Sequence, residues 1–287
     1  MNVSTSLSMY FDKDYIMPVQ QQMRLVYDAG FRHMDMNFWD WGKPDSASPF
    51  IGRDWEKWVD GIGNEAARLG VRFTQSHAVV FNFLRCDDEE KKAHYREMLR
   101  RSIVGSAMLG IPFTVIHPCH GEDWETVSQQ QAIARNVEIF SPYAELAAQM
   151  NIGLAMENMI TRRGVAPSAR QLCEFVDAFR SEHVAACWGT GHGHLAGQMQ
   201  NDSLRTLGKR LKCLHIADNY GVTDDHNPPF FGTICWDGFG DTLREIGYTG
   251  DFTYEAGKFV RLKPVSCQSE AARLMYRIAL EVSGAEV

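Results

Sequence analysis

Apolar positions along the chain follow two alternating patterns, short continuous runs and longer stretches with a spacing of three and four residues. The run from Ile152 to Met156 is typical of a buried parallel strand, and it stops abruptly at Glu157 and Asn158. Residues 88–109 are typical of an amphipathic helix, because their apolar members keep helical spacing. These members are Tyr95, Met98, Leu99, Ile103 and Ala107.

The alternation of a strand with a helix repeats eight times along the chain. Predicted strands comprise residues 3–11, 31–38, 71–80, 111–118, 152–158, 184–188, 211–219 and 251–257. Predicted helices comprise residues 18–30, 53–69, 88–109, 128–150, 168–179, 197–208, 236–246 and 268–282. Pro142 is expected to kink or restart the fourth helix, with Ser141 as a cap.

Eight strand-and-helix units without an internal linker predict an α/β fold, a (β/α)8 TIM barrel, in a single domain that spans residues 1–287. An open doubly wound sheet is the alternative architecture. The glycine-rich fingerprint of a dinucleotide-binding fold is absent after the first strand, which favours the closed barrel.

Polar side chains end several predicted strands, where the functional residues of such a barrel gather. Glu157, His215 and Glu255 end the fifth, seventh and eighth strands. A buried carboxylate needs a compensating cation, and imidazole with carboxylate suits Mn, Co, Zn or Mg, so this trio predicts one divalent metal site. The alternative is a structural role, as a core histidine or as ion pairs with nearby cations, namely Arg162, Arg163 and Lys258.

Further histidines and tryptophans follow strand ends and could contact a bound substrate. These candidates are His77, His117, His192, His226, Trp39 and Trp124. A strand-end histidine often only bonds a loop carbonyl, which is the alternative for His77 and His117. His192 belongs to the stretch Thr190–His194, whose glycines predict a flexible turn that lets a side chain reach inward. The tryptophans could stack on a sugar ring, although loop aromatics also pack the top of a barrel.

Composition narrows the class of protein. The net charge of -7 argues against nucleic acid as a partner, because affinity for phosphate backbones comes largely from Lys and Arg. The seven cysteines are scattered and form no C-x-x-C pair, which fits free thiols in a reducing compartment. The first residues lack the features of a signal peptide, and no apolar run approaches about 18 residues. These features predict a cytoplasmic protein without a membrane partner.

With these residues placed, the sequence resembles the xylose isomerase-like TIM barrel superfamily, in particular its sugar (phosphate) isomerase and epimerase branch. The resemblance runs nearly end to end. It is carried by Ser76-His77, Ile116-His117-Pro118, Ala155-Met156-Glu157-Asn158, Thr190-Gly191-His192, His215-Ile216-Ala217-Asp218-Asn219 and Tyr254-Glu255.

The resemblance implies that Glu157, His215 and Glu255 hold one divalent ion together with an aspartate of the sixth strand. Gly189 stands in the place of that aspartate. The expected consequence is weaker metal binding, with His192 able to lean in. Glycine is also expected to leave space at the strand end, which could admit a bulkier substrate or reflect a substitution made to trap a ligand.

The resemblance further implies an isomerase or epimerase of a sugar, keto-sugar or related polyol. Glu157 and Glu255 are then ligands and acid–base groups that move a proton next to a carbonyl, and His192 contacts a substrate oxygen. One alternative is a lyase or dehydratase that uses the same enolate chemistry. Another is a non-catalytic sugar- or partner-binding barrel, motivated by Gly189. Barrels of this group commonly pair, so a homo-oligomer is possible.

The DNA-repair branch of the superfamily adds further metal ligands and a basic surface. His77, His117 and the loop from Asp224 to His226 keep part of that ligand pattern. The acidic net charge opposes this branch.

Overall fold

Eight parallel strands form the barrel predicted from the sequence. The computed structural model describes residues 1–10, 17–44, 46–160 and 165–285. The strands are β1 (Val3–Ser6), β2 (His33–Asn37), β3 (Arg72–His77), β4 (Phe113–Ile116), β5 (Gly153–Glu157), β6 (Val184–Gly189), β7 (Leu211–His215) and β8 (Phe252–Tyr254). They pair in the order β7-β6-β5-β4-β3-β2-β1-β8.

The barrel closes between β7 and β8 through the residue that follows β7. Ile216 bridges Tyr254 in parallel fashion. The Ile216 N–H donates to the Thr253 carbonyl at 2.8 Å, and the Glu255 N–H donates to the Ile216 carbonyl at 3.0 Å. These two bonds join the strand ends that carry His215 and Glu255.

Helices surround the strands. They are α1 (Val19–Asp28), α2 (Trp55–Leu69), α3 (Glu89–Met108), α4 (Gln129–Gln149), α5 (Ala169–Ala178), α6 (Thr190–Leu195), α7 (Gln200–Leu207), α8 (Phe239–Glu245), α9 (Gly257–Arg261) and α10 (Val265–Ser283). Ser128 and Ser168 begin α4 and α5 with capping boxes, in which the serine side chain and a glutamine three residues later satisfy each other's backbone N–H groups.

The apolar core has two parts. The larger lies between the strands and the helices, and Trp188, Phe175 and Phe239 are among its fully buried members. A small second cluster consists of Val115, Ala155, Cys187 and Cys213. Its residues alternate along β4 to β7 with members of the outer core, which places them inside the barrel below the polar strand ends.

The structure corrects three local predictions. Pro142 neither interrupts nor restarts α4, and the Ser141 hydroxyl donates to the Val137 carbonyl at 2.6 Å instead of capping a new helix. The predicted flexible turn of Thr190–His194 is the first part of the helix α6. The short helix α9, which begins two residues after Glu255, was not predicted.

Some predicted features fall outside the described residues. Phe11, the predicted end of the first strand, is one of them, and β1 ends earlier at Ser6. Arg162 and Arg163, the alternative ion-pair partners of Glu157, also lie outside the described residues.

Candidate active site

Glu157 ends β5 with its side chain fully buried. Two imidazoles approach its Oε2 atom, His117 through Nε2 at 3.1 Å and His215 through Nδ1 at 3.0 Å. A third, that of His192, brings Nδ1 to 3.2 Å from Oε1. Burial alone would raise the pKa of Glu157, but the charge on His215 and the contacts with the imidazoles hold that pKa well below its ordinary value. Glu157 is therefore a buried anion enclosed by histidines.

His77 and His117 bring two ring nitrogens together at the ends of β3 and β4, with their Nε2 atoms 3.0 Å apart. His77 Nδ1 lies 2.8 Å from the Ala78 carbonyl, and a proton donated there leaves Nε2 as an acceptor. Burial lowers the pKa of His77 to about 4, and positive charge on His117 and His215 acts in the same direction. His77 is thus neutral at neutral pH, with its Nε2 lone pair directed at His117 Nε2.

His215 ends β7 between the two predicted carboxylates. Its Nδ1 atom lies 3.0 Å from Glu157 Oε2 and 3.6 Å from Glu255 Oε2. Burial opposes the charged imidazolium, but the two carboxylates outweigh it and raise the pKa of His215 to about 10. Glu255 is less enclosed, with 18% of its side chain exposed, and faces a cavity. The trio predicted from the strand ends is thus assembled around His215.

These residues form a first cluster, which consists of His77, His117, Glu157, His215 and Glu255. A second cluster lies beside it and consists of His192, Asp224 and His226. Asp224 Oδ2 lies 2.8 Å from His226 Nε2 and 3.4 Å from His192 Nε2. His226 Nδ1 lies 2.6 Å from the Glu255 carbonyl oxygen, which ties this cluster to β8. Burial disfavours charge on Asp224, but contacts with the two histidines hold the pKa of Asp224 well below its ordinary value. The histidine pKa values are raised in turn.

Gly189 ends β6 and contacts both clusters. Its N–H donates to Asn158 Oδ1 at 2.6 Å, and its carbonyl accepts from Asn158 Nδ2 at 3.1 Å. A Cβ atom on this residue would lie 2.7 Å from Glu157 Oε1 and 2.9 Å from His192 Nδ1. The expectation that glycine leaves space at this strand end is therefore wrong, because α6 turns the His192 ring into that space.

Several donor sets in the two clusters could hold a divalent cation. Ligand atoms within 4.8 Å of one another occur in His77–His117–Glu157, His77–His215–Glu255, Glu157–Cys187–His215 and His192–Asp224–His226.

Buried atoms that have no hydrogen-bond partner among the described residues support such a role. They include Glu157 Oε1 and both ring nitrogens of His215. His192 and His215 lie close to Glu157, but neither gives Glu157 Oε1 a hydrogen bond. The Nδ1 atom of His192 is instead directed to the Asn158 carbonyl, at 2.8 Å. Unsatisfied buried nitrogen and carboxylate donors are the set that a divalent metal requires, so the residues fit a cation.

The two tryptophans occupy different places. Trp39 is 43% exposed and stacks near His77, with ring centroids 6.0 Å apart, on the wall of a cavity of about 820 Å³ that opens onto the site. Glu255 and His226 line the same cavity. Trp124 lines a separate small cavity with His120 and Arg135, so the structure does not bring it to the other candidates.

Polar residues on β2 were not predicted from the sequence as part of the site. Asp35 is buried, neither of its carboxylate oxygens has a hydrogen-bond partner in the described structure, and burial raises its pKa to about 7. Asn37, two residues later, lines the large cavity. The alternation His33-Met-Asp35-Met-Asn37 carries the signal, because polar residues at every second position share the inward face.

Two relatives have sequences similar to this chain. Over 262 residues the chain is 24% identical to an uncharacterised protein, y4fM, of Sinorhizobium fredii, covering 83% of this chain and 80% of the relative. It is 27% identical to the D-psicose 3-epimerase of Enterocloster bolteae over 118 residues, 41% of this chain and 38% of that enzyme.

Solved structures have the same fold at low identity. A D-psicose 3-epimerase crystallised in the presence of D-fructose superimposes with a TM-score of 0.78 at 19% identity, covering 99% of this chain and 100% of the other. The IolI protein with a bound zinc atom also gives a TM-score of 0.78, at 17% identity, covering 99% and 98%.

In the described parts of the chain, no helix is both long and apolar enough to cross a lipid bilayer. The family model for the xylose isomerase-like TIM barrel matches residues 23–276. This match covers most of the sequence and includes every strand from β2 to β8. The chain therefore belongs to the xylose isomerase-like TIM barrel family.

Proposed function

We propose that the protein is a divalent-metal-dependent isomerase or epimerase of a sugar, keto-sugar or related polyol. The observation that carries this proposal is that Glu157 and Glu255, from different strands, both bring Oε2 close to His215 Nδ1, at 3.0 and 3.6 Å. Two carboxylates on different strands can exchange a proton with opposite faces of one substrate carbon. Similarity to sugar epimerases, one of them a D-psicose 3-epimerase, agrees with this chemistry.

The metal ligands in this proposal are Glu157, His215 and Glu255. A bound divalent ion would supply positive charge that stabilises negative charge developing on substrate oxygens next to the proton that moves. His77 and His117 share donor sets with this trio, so either could complete the coordination that Gly189 does not provide. The zinc atom in the IolI structure supports a divalent ion, whereas the choice among Mn, Mg, Co and Zn stays open.

In this proposal, one of the two glutamates accepts a proton from the carbon next to the carbonyl, and the other returns a proton to the opposite face. The remaining residues bind and orient the substrate. His192 and His226 are held by Asp224 with their rings directed at the site, where they can contact hydroxyl or carbonyl oxygens. Trp39 offers an apolar ring face on the cavity wall to the carbon face of a sugar.

The direct test is hydrogen exchange of ketoses in deuterium oxide, followed by proton NMR. Enzyme freed of metal by chelation and then reloaded with Mn, Co, Mg or Zn is incubated with a panel of ketoses and aldoses. Deuterium incorporation with an epimeric or isomeric product supports the proposal. Elimination products would instead identify a lyase, and ligand-induced thermal shifts without any product would identify a binding protein.

We expect the affinity for a divalent metal to rise with pH. With a pKa of about 10, His215 is protonated at neutral pH in the metal-free protein, and the proton must leave before the ring can bind a cation. We expect affinity to rise with pH between about 7 and 9, by at most about tenfold per unit for one released proton. Calorimetry in buffers of different ionisation enthalpy measures that proton, and a pH-independent affinity would exclude His215 as a ligand.

The same shift predicts a loss of stability of the metal-free protein in alkaline solution. The folded-state pKa of His215 lies above its ordinary value of 6.5, so its contribution is complete below about 6.5 and is lost as pH rises towards about 10. Thermal midpoints of chelated protein across this range would measure the loss.

The proposal also includes the cellular location and the oligomeric state of the enzyme. We infer a cytoplasmic location from the free thiols, and we infer a homo-oligomer from the barrel family. Light scattering coupled to size-exclusion chromatography measures the oligomeric state directly.

A further inference from the structure

The described residues that line the large cavity beside the site include more cationic side chains than carboxylates. Its volume is about 820 Å³, within the range of small-molecule sites. Among the described residues, four cationic side chains line it, Lys43, Lys258, Arg261 and Lys263, together with the two carboxylates of Asp40 and Glu255. The formal sum of these described residues, four minus two without histidines, is +2, whereas the whole chain carries -7. Cationic residues are therefore concentrated at this cavity.

The fold holds two of these cations close to the proposed catalytic residues. Lys258 and Arg261 belong to α9, which begins two residues after Glu255, and both are partly buried. Lys258 Nζ donates to the Asp224 carbonyl at 3.4 Å, which connects it to the second histidine cluster. Substrate contacted by Glu255 thus lies within reach of a side chain from α9.

Two of these cations, Lys258 and Arg261, have no close carboxylate partner among the described residues. Asp40 accepts a hydrogen bond from Asn37 Nδ2 at 3.0 Å, and burial raises its pKa against the influence of Lys43 and Arg261. Among the described residues, neither Lys258 nor Arg261 forms an ion pair with a carboxylate within 4.0 Å. A guanidinium and an ammonium in one cavity recognise phosphate or carboxylate through charge-assisted hydrogen bonds.

We propose that Arg261 and Lys258 bind an anionic substituent, a phosphate or a carboxylate, of the polyhydroxy substrate. This inference rests on the proposed function and narrows its substrate class from sugars in general to sugar phosphates or sugar acids. The anionic end lies towards α9, and the carbonyl end lies at Glu157, Glu255 and His215. Lys43 and Lys263 add longer-range attraction at the cavity wall.

Direct binding of inorganic phosphate tests the subsite without any need for turnover. Isothermal titration should show phosphate binding to the full-length protein, weakened about tenfold or more in Arg261→Gln and in Lys258→Gln, because each removes one charge-assisted bond. Arg72→Gln is the matched control, since Arg72 is exposed at the start of β3, at the opposite end of the barrel. Circular dichroism and thermal midpoints would establish that each variant is folded.

Assays with different substrates then distinguish a phosphate from a carboxylate as the anionic substituent. They also distinguish failure of the anion subsite from failure of the proposed function. D-Fructose, D-fructose 6-phosphate and 2-keto-D-gluconate are compared in the deuterium exchange assay with wild type and Arg261→Gln. We expect KM for one anionic probe to rise about tenfold in the variant, with that for D-fructose unchanged. Phosphate binding that depends on Arg261 without turnover of any probe would keep the subsite and reject the isomerase.

The opposite result would reject the subsite alone. It consists of turnover of D-fructose with no preference for either anionic probe and no loss of phosphate binding in Arg261→Gln or Lys258→Gln. Phosphate binding that Arg72→Gln weakens equally would also overturn the proposal, because it would show an effect of overall charge.

Discussion

Replacing Glu157 with glutamine is expected to weaken divalent-metal binding by about 100-fold or more, and to slow proton exchange in the substrate by about 10² to 10⁴. The change keeps the shape of the side chain and removes the buried charge that faces His117, His192 and His215. Without that anion, the pKa of His215 should fall, because Glu157 is the leading source of its elevation. Calorimetry with Mn, Co and Zn, together with the exchange assay, measures both effects.

Glu182→Gln is the matched control for this experiment, because Glu182 is exposed in the turn before β6, outside both clusters. Histidine NMR titration of Glu157→Gln adds a readout that a general loss of stability would not reproduce, namely a downward shift of the His215 pKa. If Glu157→Gln bound metal and exchanged substrate protons as wild type does, Glu157 would be a structural residue and the proposed site would be wrong.

Gly189→Asp is expected to have opposite effects on stability with and without metal. In the metal-free protein, the added atoms would crowd Glu157 Oε1 and His192 Nδ1, at 2.7 and 2.9 Å from the new Cβ, and would place a second carboxylate beside a buried one. We expect a loss of about 1–3 kcal/mol in the free energy of unfolding. With metal present, the new carboxylate can replace His192 as the neighbour of Glu157 and act as a ligand, which should tighten binding by about tenfold or more.

Gly189→Asn and Gly189→Ala separate the causes of these effects. Asparagine introduces the same volume without charge, and alanine introduces the crowding alone. Both should lower the thermal midpoint, and neither should gain the metal-dependent recovery expected for aspartate. Equal metal affinity and equal turnover in Gly189→Asp and wild type would show that this position has no part in the metal site.

The sequence predicted the barrel and the placement of Glu157, His215 and Glu255 because both follow from one rule. Apolar strand runs end in polar residues, and parallel strands bring those ends to one mouth of the barrel. The structure assembles the predicted trio around His215, as the distances show, while its role in catalysis is a proposal.

The positions of side chains that depend on tertiary packing could not be predicted from the sequence. The inward direction of the His192 side chain depends on α6. The glycines of Thr190–His194 predicted a flexible turn in place of this helix. Arg261 reaches the cavity only because α9 follows β8, and no strand-end rule indicates it. Trp124 shows the converse, since its position after β4 looked equivalent to that of Trp39, but the fold directs it to another cavity.

The closure between β7 and β8 also makes the spacing of the active site a property of the whole barrel. The Ile216 backbone, which follows His215 at the end of β7, bonds to Thr253 and to Glu255 at the end of β8. These bonds hold the two proposed metal ligands His215 and Glu255 on neighbouring strand ends. Separation of β7 from β8 at this seam would therefore move His215 away from Glu255 even if every other strand pair stayed intact. The pairing of β7 with β8 thus both closes the barrel and sets the distance between two reactive side chains.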